Sequence, residues 1–247
     1  MMKRPKNRNY EDFHKDSRSQ KRIISSNNFT YRIILNIINK FLDSPKKILD
    51  IGCGVGTISL YLANNGHKVY GIDISNNAIK SCTESAKKLQ LENKAHFKVV
   101  DFPNKIPNEK FDLILFIEVI EHLKNDKLAL RKIFSLLKRG GIAIISTPSK
   151  NAPMYKFGLA DAFDQKVGHL RRYSFGELVD KCKSVGFKVL ETKKTEGIVR
   201  NFLFLNPIAG KSIRFIKFFI ADFVMFIDKI SLKIFGESDI FVIVKKP

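Results

Sequence analysis

Apolar and polar residues recur along this chain in two rhythms. From Asn28 to Leu42 the apolar positions Phe29, Ile33, Ile34, Ile37, Ile38 and Phe41 return every three or four residues. That spacing predicts an amphipathic helix, packed on the body of the protein or covering its active site. Short apolar runs follow, and Lys47–Ile51, Lys68–Ile72, Ala95–Val100, Phe111–Ile117 and Ile142–Ser146 read as strands. Between them Thr57–Asn65, Asn76–Leu89 and Asp126–Leu137 read as helices, the second preceded by Ser75 as its N-cap, and Gly140-Gly141 reads as a turn. Continuous apolar strands separated by helices predict a parallel sheet covered on both faces. Ligands of such sheets bind beyond the carboxyl ends of the strands, so chemistry is sought there.

The last quarter breaks the alternation. Phe187–Thr192 and Asp239–Lys245 read as strands six and seven, with about 46 residues between them. Ile213, Ile216, Ile220, Phe223, Ile227, Ile230 and Ile234 step by three or four, as on one face of a long helix. Lys217, Asp222, Asp228 and Lys229 interrupt every long apolar run, which argues against a membrane span. Three roles stay open for residues 200–236: packing on the domain itself, a homodimer interface, or an interfacial helix on an anionic membrane. The expected organisation is a flexible basic stretch over 1–27 and one domain over 28–247, with a helical insertion at about 193–238.

Composition adds one strong fact. The 44 Lys and Arg against 24 Asp and Glu leave a net charge of +20. Such a field attracts nucleic acid, anionic lipid or acidic small molecules, although basic residues spread this widely also make an ordinary soluble surface. Cys53, Cys82 and Cys182 have neither metal-ligand nor redox spacing, which suits a reducing cytoplasm. Met1–Arg22 holds no apolar run of the kind a secretory signal needs, so a cytoplasmic protein is expected, with the inner face of the membrane as a further station.

The first strand runs into Asp50-Ile51-Gly52-Cys53-Gly54-Val55-Gly56-Thr57. Glycines there let the backbone turn sharply and approach a ligand, and the next helix offers free N–H groups. The third glycine is Gly56, whereas a dinucleotide fingerprint would place it at position 57, so a nicotinamide-dependent oxidoreductase is disfavoured. Asp73 ends the second strand, 21 positions after Gly52, where a carboxylate accepts hydrogen bonds from ribose hydroxyls.

With these residues in place the chain resembles the class I S-adenosylmethionine-dependent methyltransferases. Ile48–Thr57 is similar to their motif I, and Gly71-Ile72-Asp73-Ile74-Ser75 to their second-strand acidic motif. Val99-Val100-Asp101-Phe102 resembles the third motif, Phe111–Ile114 with Glu118–Leu123 the fourth, and Leu136–Gly141 the turn before the fifth strand. The resemblance implies a Rossmann-like, doubly wound α/β fold with a seven-stranded, mostly parallel sheet, an N-terminal helical cap, and the insertion between strands six and seven. It implies S-adenosylmethionine as cofactor, the glycine turn against its methionyl part, Asp73 on the ribose, and Asp101 and Phe102 at the adenine. The donor-site set is Asp50, Gly52, Gly54, Gly56, Asp73, Ile74, Asp101, Phe102 and Glu118.

The acceptor side rests on two constellations. Thr147–Arg172 is a long segment placed to act as a lid, and in it His169 is the candidate general base because imidazole titrates near neutrality. Arg171 and Arg172 are placed to clamp an acidic group on the acceptor; the other reading of His169 and Tyr173 is that they anchor the lid. Glu118, Glu121 and His122 resemble the E-x-x-E-H pattern of the ubiquinone-biosynthesis O-methyltransferases, where these residues are associated with a divalent metal; a purely orienting role is the alternative, and no metal ligand is assigned. The expected activity is O-methylation of a small-molecule or lipid-like acceptor. A nucleic-acid methyltransferase is the rival that the charge raises, but the fourth strand leads into Phe116-Ile117-Glu118-Val119 and not into an Asn/Asp-Pro-Pro-aromatic motif. A non-catalytic S-adenosylmethionine-binding protein is the third reading.

Overall fold

Each central strand of the sheet alternates which way its apolar side chains point, and both directions are buried. In the computed structural model, which describes residues 6–247 (side chains outside 6–9, 204–205 and 207–220), Leu49, Ile51, Ile114, Phe116, Ile145 and Val242 enter one core. Their strand neighbours Ile48, Leu113, Leu115, Ile144, Phe241 and Ile243 enter the other. Two dry faces need two helical layers, which is why the strands read as unbroken apolar runs.

The elements follow in the order α1 (Lys6–Phe13), α2 (Arg32–Asn39), β1 (Lys47–Ile51), α3 (Thr57–Asn64), β2 (Lys68–Asp73), α4 (Asn76–Lys88), β3 (Ala95–Val99) and β4 (Phe111–Ile117). A 3-10 turn at Ile120–His122 leads to α5 (Asp126–Leu136), β5 (Leu137–Pro148), α6 (Pro153–Lys156), α7 (Asp161–Val167) and α8 (Phe175–Ser184). The chain ends with β6 (Lys188–Thr195), α9 (Ile198–Leu205), α10 (Pro207–Phe235) and β7 (Asp239–Lys245). The seven strands lie in the order β3-β2-β1-β4-β5-β7-β6, with β7 antiparallel to both neighbours. The order reverses at β1 and β4, and their carboxyl ends open the crevice where ligands bind. The doubly wound fold read from the alternation is the one observed.

Of the two places open to the first amphipathic helix the structure takes the packed one, and three further details differ from expectation. The amphipathic helix after Asn28 is α2, and Leu35, Ile37 and Ile38 bury it on the sheet, so it does not cover the strand ends. That position is taken by α1, from the stretch expected to be flexible. Polar contacts hold it, because the segment has little apolar surface of its own: Glu11 accepts hydrogen bonds from Ser75 Oγ (3.0 Å) and from the Asn76 and Asn77 N–H groups (2.7 and 3.1 Å) at the start of α4. Gly140, read as a turn, is a left-handed step inside β5, where the pairing with β4 shifts between Phe111 and Leu113. The insertion begins after Thr195, since β6 is longer than its apolar core, and it holds two helices.

Candidate active site

β1 delivers the chain to Gly52 and Gly54, both left-handed (φ +73° and +52°). A Cβ on Gly52 would collide with the side chain of Val119, so only glycine lets this backbone pass the turn that follows β4. The Gly52 and Cys53 N–H groups donate to the Ile72 carbonyl at 2.8 and 3.1 Å, tying the turn to β2. At the end of β2, Asp73 accepts from the Gly54 N–H through Oδ2 and from the Ser75 N–H through Oδ1, each at 2.9 Å. Each oxygen then keeps a further acceptor position for a ligand.

These strand ends enclose a cavity of about 330 Å³. Gly52, Gly54, Asp73, Ile74, Asp101 and Phe102 line one side of it; Glu118, Val119, His122, Leu123, Lys166 and Val167 also line it, and Tyr10, Phe13 and His14 of the N-terminal segment complete the wall. Asp73 meets the need for a hydroxyl acceptor, Ile74, Val100 and Phe102 offer an apolar slot for a ring, and the glycine turn offers backbone without Cβ atoms. That chemistry fits S-adenosylmethionine.

Two expected donor residues lie elsewhere. Asp50 is buried and accepts from Ser59 Oγ at 2.6 Å, a strut between β1 and α3, and burial pushes its carboxyl up to about 6. Gly56 begins α3 in a left-handed conformation, where a Cβ would fall 2.9 Å from Cys82 Sγ, so it serves the packing of α3 on α4.

The side formed after β4 is built from ionisable groups. Glu118 itself adopts φ +54°, unusual for a residue with a Cβ, and accepts from Ser146 Oγ at 2.6 Å. Burial pushes its carboxyl up to about 7 against that hydrogen bond. Glu121 is fully buried; Oε2 accepts from Thr147 Oγ1 at 3.0 Å, while Oε1 has no hydrogen-bond partner among the described residues. Burial, then the neighbouring Glu118, hold it well above the usual carboxylate range.

His122 lines the cavity, and its Nδ1 lies 3.2 Å from the Gly168 carbonyl, which makes Nδ1 the protonated nitrogen. His169, the candidate base, does not line the cavity. It stands behind His122 with ring centroids 4.8 Å apart, its Nδ1 2.9 Å from Asp164 Oδ1 and its Nε2 3.9 Å from Glu121 Oε1. Burial opposes ionisation of Asp164, but hydrogen bonds from His169 and Arg172 bring its carboxyl down to about 2. Arg172 grips both Asp164 oxygens at 2.7 Å and lies over the Tyr155 ring, while Arg171 donates to Asp126 Oδ2 at 3.2 Å. Both arginines therefore hold the lid segment together and form no clamp for an acceptor. Tyr173 does the same, donating to Asp126 at 2.8 Å.

Glu121, His122 and His169 each present one ligand atom within 4.8 Å of the others, a spacing that suits one divalent cation. A cation there would act as a Lewis acid toward an acceptor oxygen. The wall residues that sequence reasoning missed are chiefly Tyr10, Phe13, His14, Lys166 and Val167. The first three carried a readable signal, an aromatic cluster inside an otherwise polar segment.

A family model described as a methyltransferase domain matches residues 42–203. The ubiquinone biosynthesis O-methyltransferase of Pelagibacter ubique is 36% identical over 134 residues, 51% of this chain and 55% of that protein. Its namesake from Rickettsia typhi is 34% identical over 117 residues, 47% of this chain and 46% of that protein. The chain spans about half the length of these curated relatives. Among solved structures, phosphoethanolamine N-methyltransferase 2 of Haemonchus contortus, in complex with S-adenosyl-L-methionine, superposes with a TM-score of 0.68 at 17% identity, covering 96% of this chain and 60% of that one. Magnesium protoporphyrin IX methyltransferase from Synechocystis, with bound S-adenosylhomocysteine, gives 0.60 at 16% identity, over 87% and 81%. Fold, glycine turn, acidic strand end and family match agree, and the chain belongs to the class I S-adenosylmethionine-dependent methyltransferases.

Proposed function

We propose that this methyltransferase acts on a hydroxyl oxygen of a small, largely apolar, lipid-like acceptor. The observation that carries the reading is His122, which lines the same cavity as the glycine turn with a buried ionisable network behind it. S-adenosylmethionine supplies a methyl group on a sulfonium. A hydroxyl attacking that methyl must lose its proton as the new bond forms, and a cavity-lining imidazole is placed to take it. With Nδ1 committed to the Gly168 carbonyl, the proton goes to His122 Nε2. The ionised Asp164, hydrogen-bonded to His169 behind it, supplies negative charge toward the positive charge that then appears on His122. Phe13, Val119, Leu123 and Val167 provide apolar wall for the acceptor body. The names of the curated relatives point the same way.

The test is transfer of a labelled methyl group to a panel holding a prenylated catechol, phosphoethanolamine and transfer RNA. Label on the catechol oxygen is expected, and label confined to the amine or the RNA overturns the reading. His122→Ala should lower turnover by about 100-fold or more, the usual worth of a general base, with the donor Kd little changed. His169→Ala, acting through His122, should lower it by about tenfold and shift the pH profile. The orphaned Glu121 Oε1 favours one further reading, a divalent cation shared by Glu121, His122 and His169. Activity that falls with excess chelator and returns with magnesium supports that version; activity indifferent to chelator leaves the imidazole to do the work.

A further inference from the structure

The insertion is folded inside out. Over the described part of α10, the polar residues Asp228 and Ser231 are buried, while Phe223, Phe226 and Ile234 leave 63, 61 and 67% of their surface exposed, with Ile230 also exposed between them. Steps of three, four and four place these four on one helix face. The rotation of the helix is set by its polar side. Asp228 accepts from the Gly197 and Arg200 N–H groups, both at 2.8 Å, and so caps the start of α9. Gly197 lies so close that a Cβ there would strike Ser231 Oγ and the Asp228 carbonyl. Arg200, itself buried, donates to the Phe29 carbonyl at 2.8 Å and anchors α9 to the segment before α2. Turning the apolar stripe inward would break the Asp228 and Ser231 contacts with α9, so the insertion is built to present an apolar face that is unpartnered among the described residues.

Topology puts this face at the working end of the sheet. Asp239 pairs with both Pro148 and Thr195, so the insertion leaves and returns at the carboxyl end of β5, beside the donor cavity. α6 packs on α9, and Phe157 and Leu159, which follow α6, are exposed as well. The charge near the stripe is positive. Lys229 and Lys233 are exposed next to it, and the acidic Asp222 is engaged by Arg32 at 2.5 Å. A net charge of +20 repels a second copy and attracts an anionic surface.

We infer that this face seats the enzyme on an anionic lipid surface, with the stripe of Phe223, Phe226, Ile230 and Ile234 in the acyl boundary and Lys229 and Lys233 at the headgroups. The helix lies in the interface, and none of the described helices is long and apolar enough to cross a membrane. The inference goes beyond the acceptor reading and does not depend on it, since lipid binding is measured without turnover.

The experiment is co-sedimentation of the full chain with vesicles of phosphatidylglycerol and phosphatidylcholine, and with phosphatidylcholine alone. Binding to the anionic vesicles is expected. Phe223→Ser, Phe226→Ser and Ile230→Ser together should weaken it by about tenfold or more. Lys229→Gln with Lys233→Gln should weaken it by about fivefold per lysine. S-adenosylhomocysteine affinity should stay unchanged in both variants, which shows the fold and donor site to be intact. The lysine pair lies wholly at the surface and keeps the test alive if the triple variant does not fold. Three results overturn the inference: no binding of the unaltered chain to anionic vesicles, undiminished binding of both variants, or a dimer in solution that the triple variant dissociates.

Discussion

The two sides of the cavity are made in different ways. The donor side is mostly backbone, a glycine turn and strand ends, with the Asp73 carboxylate set among peptide N–H groups. The other side presents Glu118 and His122 among apolar residues and is backed by ionisable side chains held out of water: Glu118 and Glu121 are pushed upward by burial, Asp164 is pulled downward, and two imidazoles lie among them. Backbone recognition tolerates little change of shape and has no pH dependence of its own. A buried ionisable network carries charge that can be moved, and its energetics change with pH. One side is suited to holding a constant cofactor and the other to proton chemistry.

The sharpest way to break this division is Asp73→Ala. Hydrogen bonds to a charged acceptor contribute roughly 1.5–3 kcal/mol each, so losing two ligand bonds should weaken S-adenosylhomocysteine binding by about 3 kcal/mol or more, over 100-fold by titration calorimetry. Asp50→Asn makes the contrast. Its partner is Ser59, so the folded protein should bind within about threefold of the unaltered chain. Equal losses in the two variants would mean that the glycine turn works as one unit with the strut beneath it.

The same contrast explains what could be read in advance. The sheet was legible because its central strands are apolar on both sides, and the donor side because its signals are contiguous: Gly52 and Gly54 follow one strand, and Asp73 ends the next. Gly56 and Asp50 belong to the same local pattern, and spacing alone cannot say that one packs against Cys82 and the other bonds Ser59. The acceptor side depends on residues brought together from 118–122 and 164–172, and on α1, which arrives from the other end of the chain. His169 was recognisable as chemistry, but its place behind His122 follows from the 3-10 turn at Ile120–His122. Helical spacing in the insertion was legible as well; which face looks outward is decided by Asp228 capping α9, a contact between residues about thirty positions apart.

A second, smaller effect tests whether the acceptor side really holds uncharged carboxyls. Glu118 has its folded-state value raised to about 7 by burial, above its ordinary 4.5. A raised carboxyl stabilises the fold below its unfolded value, and that contribution is lost as pH climbs from about 4.5 to about 7. Glu118→Gln should therefore flatten the decline and leave the protein more stable above neutrality, by on the order of 2 kcal/mol in urea unfolding. A decline of unchanged slope would show that Glu118 is ionised throughout.

The smallest expected effect has the opposite sign and a different window. Asp164 is lowered to about 2 from an ordinary 3.8 by His169 and Arg172, against burial. Its contribution is complete above the ordinary value and drains away as pH falls from about 4 toward 2. The two windows meet near pH 4 and scarcely overlap, so one unfolding series separates them. Asp164→Asn keeps an oxygen for Arg172 and His169 but removes the charge, and the site is partly open to solvent, so the cost at neutral pH should be about 1 kcal/mol. The acid side of the profile should then flatten while the neutral side keeps its slope. If Asp164→Asn instead flattened the neutral side, His169 would be taking its charge balance from Glu121 and Glu118, and the proton accepted by His122 would be shared across the whole network.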